Sequence, residues 1–134
     1  MSQLAKGVFT VKLLSQTLAD PDAGNTLGRL SIAKDFSGDL LATSKGEMLS
    51  AGTAVKGSAG YVAIERVVGS LHGRSGSFVL QHSGTMNRGE PQLSVTVVPD
   101  SGTDALEGLT GQLSIVIVDG EHRYEFGYSL PTLE

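Results

Sequence analysis

The sequence has 134 residues, which suits one domain spanning 1–134, and its 14 acidic and 10 basic side chains give a formal charge of −4. No segment concentrates lysine or arginine, so a nucleic-acid-binding surface is excluded, and the absence of cysteine excludes disulfides and thiolate metal sites. No apolar run approaches the roughly 18 residues of a membrane span, and residues 1–12 lack a signal-peptide core, so we expect a cytoplasmic protein with no membrane partner.

Glycine separates short segments in which apolar and polar residues alternate. The 18 glycines fall between β-branched stretches, where turns and bulges are expected, and only 4 prolines accompany them. In chain order, strands are predicted at 7–13, 27–34, about 40–49, 61–68, 77–82, 92–98, 111–118 and 123–128. Some of these strands are separated by turn formers at 20–25, by the glycines of 72–76 and by Asp119-Gly120. Pro99 and Pro131 each end the strand before them.

About eight short strands in sequence indicate a β-sandwich or a β-barrel. Consecutive hairpins favour an up-and-down meander, and closure into a barrel would remove the exposed sheet edges. We therefore predict an all-β fold, a small closed antiparallel barrel of about eight strands. The helical segments that the sequence allows are short ones, around Leu4 or at 14–18.

Three segments together resemble a known family. They are 36–40 with Glu47 downstream, 65–84, and 101–111. From about residue 36 to residue 131, the chain resembles a family of small uncharacterised bacterial proteins, classed as a domain of unknown function, with an allene-oxide-cyclase-like barrel. The last segment also resembles the glycine-threonine-glycine turn of allene oxide cyclases and dirigent proteins, with Asp104 replacing the second glycine. The resemblance implies a calycin-like barrel with a central cavity, and it implies no particular activity.

Strand alternation indicates which side chains share a face. Phe78, Leu80 and His82 share one face, which we predict to be the interior because its other members are large and apolar. Glu65 and Tyr61 share a face of the neighbouring strand and are expected to accompany them. The opposite face of that strand carries Val62, Ile64 and Val68.

The predicted interior could carry proton-transfer chemistry. His82 could act as a general base near neutral pH, and Glu65 or Glu47 could be its carboxylate partner or a general acid. Tyr61 could donate a hydrogen bond to a carbonyl or enolate oxygen. The residues predicted to contact a ligand are Tyr61, Phe78, Leu80, Tyr124 and Phe126.

Each of these residues also has a purely structural interpretation. A histidine at a strand end commonly serves structure, and Glu65 could be a solvent-facing charge or part of a cross-strand pair. Glu47 shares its face with Lys45, which suggests a solvated strip. The aligned aromatic side chains of Tyr124, Phe126 and Tyr128 are typical of a barrel wall or core.

Metal and cofactor sites are not predicted. His72, His82 and His122 lack close metal-ligand spacing, and His122 falls in a predicted turn, where we expect it to be exposed. No glycine-rich phosphate loop leads into a helix, and no nucleophile elbow is present. We therefore expect no metal and no cofactor.

Three functions remain open from the sequence. The first is a small-molecule-binding barrel for an apolar or amphipathic ligand. The second is a cofactor-free isomerase or cyclase that uses His82 and a glutamate in the same cavity. The third is a non-catalytic oligomeric module whose contact surface includes Val62, Ile64 and Val68. A homo-oligomer is expected for all three functions, and a dimer is the commonest form.

Overall fold

In the part of the chain that the structure describes, eight antiparallel strands follow one another around a closed barrel, and the last strand pairs with the first. The computed structural model describes residues 2–20 and 26–131. The strands are β1 (Ser2–Ser15), β2 (Leu27–Gly38), β3 (Leu40–Gly52), β4 (Ala59–Leu71), β5 (Arg74–Asn87), β6 (Glu90–Val97), β7 (Thr110–Val118) and β8 (Glu121–Ser129). The prediction of an all-β, closed antiparallel barrel is confirmed.

The first strand is much longer than the sequence predicts. Leu4 and Leu14 both lie in β1, so the prediction of a short helix around Leu4 or at 14–18 is wrong. Residues 2–9 of β1 pair with β8 and residues 7–15 pair with β2, so every residue of the strand has at least one sheet partner, whereas such a short helix would be marginal. Within the described ranges the helical structure is one 3₁₀ turn, Asp104–Leu106, and no helix there could cross a membrane. The turn predicted at 20–25 lies outside the described residues except for Asp20.

Tight turns of left-handed residues connect several neighbouring strands. His72 and Gly73 have φ angles of 47° and 80°, and they are the two residues between β4 and β5. Asp119 and Gly120, with φ angles of 52° and 79°, join β7 to β8 in the same way. Positive φ at both central positions is the signature of the type I′ turn, whose twist matches that of the strands it connects.

Apolar side chains fill the end of the barrel that carries the β2–β3 and β4–β5 turns, which we call the closed end. Phe78 stacks on Phe126 with ring centroids 5.7 Å apart. The Tyr124 hydroxyl accepts from the Leu40 amide at 2.9 Å and donates to the Ser37 carbonyl at 2.8 Å. Other fully buried members of this core are Leu71, Leu80, Leu106 and Leu109. The core therefore ties β8 to the β2–β3 turn.

The opposite end of the barrel, which we call the mouth, is much less filled. Inward-facing side chains near this end stay exposed, including Leu13 at 46%, Met86 at 42% and Leu93 at 45%. The wall also weakens there, because β6 and β7 share one register pair, Thr96 with Gln112. We call this weakly paired boundary the β6–β7 seam. The barrel is thus a cup, closed at one end and open at the other.

The outer face of β4 carries apolar side chains as alternation predicts. Val62, Ile64 and Val68 are 52%, 50% and 44% exposed. They point away from the barrel axis, since the intervening residues Ala63, Glu65 and Val67 are buried. The assignment of inner and outer faces on β4 is therefore correct.

Candidate functional site

A buried carboxylate lies at the centre of the barrel interior. Glu65 on β4 is 0% exposed. Its Oε2 accepts hydrogen bonds from Lys34 Nζ at 2.7 Å and from His82 Nε2 at 2.5 Å. Its Oε1 accepts from the Ser44 hydroxyl at 2.7 Å. We call these four residues the polar cluster.

Strand register brings the polar cluster together from four consecutive strands. Lys34 on β2 pairs with Ser44 on β3, and His82 on β5 pairs with Ala63, two residues before Glu65. All four side chains point inward because each lies on the buried alternation of its strand. Gly46 opposes Glu65 on β3, where an added Cβ would collide with the backbone of Glu65. The glycine therefore lets β3 and β4 approach beside the carboxylate.

The surroundings keep Glu65 ionised. Burial alone would raise its pKa, but hydrogen bonds from His82, Lys34 and Ser44 and the charge of Lys34 outweigh that effect. Together they lower the pKa of Glu65 from 4.5 to about 2. The cluster can therefore hold a full negative charge in the interior at neutral pH.

Aromatic rings surround the cation of this ion pair. Lys34 Nζ lies 4.8 Å from the ring centroid of Phe9 and 5.8 Å from that of Phe36. The faces of such rings attract a desolvated ammonium group. Lys34 is 8% exposed, so its charge is balanced by Glu65 and by these rings.

Glu65 also fixes the orientation of the His82 imidazole. An ionised carboxylate can only accept, so Nε2 of His82 must carry the hydrogen of their shared bond. In the neutral imidazole, Nδ1 then bears a lone pair, and it has no hydrogen-bond partner among the described residues. This arrangement leaves His82 able to accept a proton from another molecule.

Tyr61 lies between the polar cluster and the mouth. Its ring centroid is 6.4 Å from that of His82, and its ring packs over Gly84 on β5, where an added Cβ would strike it. Burial raises the pKa of the Tyr61 hydroxyl, and the negative charge of Glu65 raises it further. The hydroxyl is therefore a protonated hydrogen-bond donor at neutral pH, and it has no partner within the described residues.

An open pocket of about 470 Å³ occupies the mouth beside Tyr61. It is bounded by β3, β4, β5 and β6, and most of its lining is apolar. Its larger side chains are Met48, Tyr61, Met86, Pro91 and Leu93. The site thus combines an apolar entrance with a charged, hydrogen-bonded interior.

The structure brings together only some of the predicted site residues. His82, Glu65 and Tyr61 share the interior, and His82 bonds directly to Glu65. Glu47 instead lies on the outer face, where it bonds Arg29 at 2.7 Å. The expectation that Glu47 could be the carboxylate beside His82 is therefore wrong, because β3 points its odd-numbered residues outward.

Four predicted ligand contacts lie in the packed interior. Phe78, Leu80, Tyr124 and Phe126 are each at most 1% exposed, and none of them lines the pocket at the mouth. Phe78 and Leu80 do share the inward face with His82, as alternation predicts. Their packing supports the core, in agreement with the structural interpretation of the aromatic stripe.

Lys34, Ser44 and His122 are interior residues that sequence reasoning missed. Lys34 alternates with Ile32 and Phe36, which are both buried, and this pattern is the signal that could have placed it inside. His122 lies in β8, and its ring centroid is 5.1 Å from that of Phe9. The histidine is half-buried, so the prediction of an exposed turn residue is wrong.

A second polar group ties the closed end together. His72 Nδ1 and the Tyr128 hydroxyl are 2.5 Å apart, and His72 Nε2 lies 3.6 Å from Asp39 Oδ2. These contacts link the β2–β3 turn, the β4–β5 turn and β8. Among the residues that the structure describes, no group of three or more ligating side chains could hold a metal ion.

These features define a class of protein, a closed eight-stranded antiparallel barrel with a buried ion pair beneath an open apolar mouth. The chain belongs to the DUF3224 family of proteins of unknown function, which it matches over residues 5–128. It is 50% identical to a DUF3224 protein of unknown function from Shewanella oneidensis MR-1, whose crystal structure aligns with a TM-score of 0.91. That alignment covers 97% of this chain and 98% of the other. No curated protein matches the chain.

Proposed function

We propose that the protein binds an apolar or amphipathic small molecule in the mouth of its barrel. The observation that carries this proposal is the apolar pocket of about 470 Å³ that opens above Tyr61 and the polar cluster. Its volume lies within the roughly 300–1,000 Å³ of small-molecule sites, which combine apolar walls with a few polar groups.

The exposure of inward-facing side chains supports the same proposal. Leu13, Met86 and Leu93 point toward the barrel axis, yet each is more than 40% exposed. Burying such surface is favourable by about 25 cal/mol per Å². A ligand with an apolar body would supply contacts that these side chains lack among the described residues.

A neutral fluorescent probe, N-phenyl-1-naphthylamine, tests the proposal. We expect saturable binding to the wild-type protein and at least about tenfold weaker binding to Met86→Arg, which puts a charge into the apolar mouth. Ile64→Arg is the matched control, because Ile64 is similarly exposed but lies on the outer face. Unsaturable binding, or equal losses in both variants, would reject the proposal.

A second candidate function is a cofactor-free isomerase or cyclase. The favouring observation is the 2.5 Å bond between His82 and the ionised Glu65, which leaves Nδ1 of His82 free to act as a base. His82 would take a proton from a carbon beside a carbonyl, and the C–H electrons would form an enolate. Tyr61 would donate to the enolate oxygen, Glu65 would stabilise the imidazolium, and return of the proton to another carbon would complete an isomerisation.

Hydrogen–deuterium exchange of the acetophenone methyl group tests this second function. In D₂O, the wild-type protein should accelerate exchange above the buffer rate, and His82→Gln should remove the acceleration. Glu47→Gln should retain it, because Glu47 lies on the outer face with Arg29. Exchange at the buffer rate with wild-type protein, or undiminished exchange with His82→Gln, would reject a catalytic role for His82.

A further inference from the structure

Two polar atoms, one in the lining of the mouth pocket and one in the interior next to it, have no protein partner within the described residues. They are the hydroxyl of Tyr61 and Nδ1 of His82, whose rings lie 6.4 Å apart between centroids. The His82 side chain is only 4% exposed, so an unpartnered nitrogen there is unusual. No fully buried side-chain nitrogen or oxygen in the described ranges lacks a partner, so Nδ1 retains some access to solvent.

The two atoms have opposite hydrogen-bonding roles. Tyr61 presents a donor, because its hydroxyl stays protonated. His82 in its neutral form presents an acceptor, because its hydrogen is committed to Glu65 through Nε2. A bound molecule that satisfies both must offer an acceptor to Tyr61 and a donor to His82.

The charge of the cluster restricts the head group further. Lys34 and Glu65 form a buried ion pair, so their formal charges cancel and neither is left to attract a charged head group. A carboxylate has no hydrogen to donate to Nδ1, and a hydrocarbon leaves both atoms unsatisfied. A neutral group with an adjacent acceptor and donor fits both requirements.

We infer that the ligand of the mouth pocket carries a carbonyl oxygen next to a hydroxyl group on an apolar body, as in an α-hydroxy ketone. The apolar body lies against Met86 and Leu93, and the carbonyl accepts from Tyr61, which lines the same pocket. His82 does not line this pocket, so the head group must reach beneath Tyr61 for its hydroxyl to donate to Nδ1 of His82. This inference rests on the proposed function, since it names the ligand class of the same pocket.

A series of four probes with one phenyl body tests the inference by titration calorimetry. The probes are 2-hydroxyacetophenone and 2-methoxyacetophenone, each substituted on the methyl carbon beside the carbonyl, together with acetophenone and ethylbenzene. On the wild-type protein, 2-hydroxyacetophenone should bind about fivefold to tenfold more tightly than 2-methoxyacetophenone, the value of one hydrogen bond. Tyr61→Phe should weaken the three ketones by a similar factor and leave ethylbenzene unchanged.

Nitrogen-15 NMR of His82 tests the hydrogen bond to Nδ1 directly. If His82 has a purely structural role, its Nδ1 resonance should not shift when the ligand binds. The free protein should show the Nε2–H tautomer, and 2-hydroxyacetophenone should shift the Nδ1 resonance while 2-methoxyacetophenone should not. If all four probes bind equally, the head-group inference fails while the proposed function survives. If none of them binds and N-phenyl-1-naphthylamine also fails to bind, the proposed function itself fails.

Discussion

Glu65 is the residue on which the arrangement of the interior depends. A fully buried charge costs several kcal/mol unless it is paired and hydrogen-bonded. Donors from β2, β3 and β5 meet that requirement through Lys34, Ser44 and His82. Because one carboxylate holds three other strands, its chemistry affects both the stability of the barrel and the orientation of His82.

The stability of the protein should depend on pH through Glu65. The pKa of Glu65 falls from 4.5 to about 2 on folding. The stabilisation from its ionised carboxylate is therefore fully present above about pH 4.5 and is lost as the pH falls toward 2. This shift corresponds to about 3 kcal/mol in the free energy of unfolding. Urea unfolding between neutral pH and pH 2 should therefore show a shallower pH dependence for Glu65→Gln than for wild type. Glu47→Gln should keep the wild-type dependence, and an identical curve for Glu65→Gln would refute the assignment.

Replacing Lys34 should lower the free energy of unfolding far more than replacing a lysine on the outer face of the barrel. Lys34→Met leaves the Glu65 carboxylate without its cation, so we expect a loss of about 3–5 kcal/mol in the free energy of unfolding. Adding Glu65→Gln to this variant should recover part of the loss, because the buried charge is then gone. Lys45→Met is the control, since Lys45 is exposed and should change stability by less than about 0.5 kcal/mol. Equal losses for Lys34→Met and Lys45→Met in urea unfolding would contradict the prediction.

Only part of the candidate site could be predicted from the sequence. The inward positions of His82 and Glu65 could be predicted because each lies on a strand whose alternation identifies an inner face. For Lys34, alternation with Ile32 and Phe36 indicates an inward side chain, but its contact with Glu65 could not be predicted, because the partner lies 31 residues away and the contact depends on barrel register. Glu47 was misplaced because a carboxylate alone does not reveal which face of β3 is buried.

At the scale of elements, the order of the strands was predictable and their lengths were not. Alternation and glycine turns locate the centres of the strands, as at Asp119-Gly120 between β7 and β8. Where a strand ends depends on its neighbours, and β1 extends to Ser2 because β8 pairs with it there. The weakness of the β6–β7 seam was equally invisible, since both strands alternate normally in sequence.

Amide hydrogen exchange should reveal the β6–β7 seam. The seam has one register pair and an open groove of about 610 Å³, so the mouth-side parts of both strands lack mutual pairing. Amides within 92–94 and 114–116 that face the seam should exchange roughly tenfold or more faster than those of 64–67 in β4. The β4 segment is the internal control because it is paired on both sides. Equal protection of all three segments by mass spectrometry or NMR would show that the seam is closed in solution.

At the scale of the whole molecule, self-association remains a prediction. Val62, Ile64 and Val68 expose apolar surface on one outer face, a feature that often marks a protein interface. If two copies pair through this face, the wild-type protein should be a symmetric dimer and Ile64→Glu a monomer. Leu4→Glu is a matched control, because Leu4 is also 50% exposed but lies on β1. Light scattering with size-exclusion chromatography measures the oligomeric state of each variant, and a monomeric wild-type protein would exclude this interface.

We expect the two ends of the barrel to have different roles, with the closed end determining stability and the mouth determining ligand binding. Phe126 is 0% exposed in the closed-end core, so Phe126→Ala should lower the free energy of unfolding by about 3–5 kcal/mol. Met86 is 42% exposed at the mouth, and Met86→Ala should change stability by less than about 0.5 kcal/mol. Binding of N-phenyl-1-naphthylamine should respond in the opposite way, weakening with Met86→Ala and holding for folded Phe126→Ala because Phe126 does not line the pocket. Equal destabilisation of both variants, or loss of probe binding in folded Phe126→Ala, would mean that the two ends are not independent.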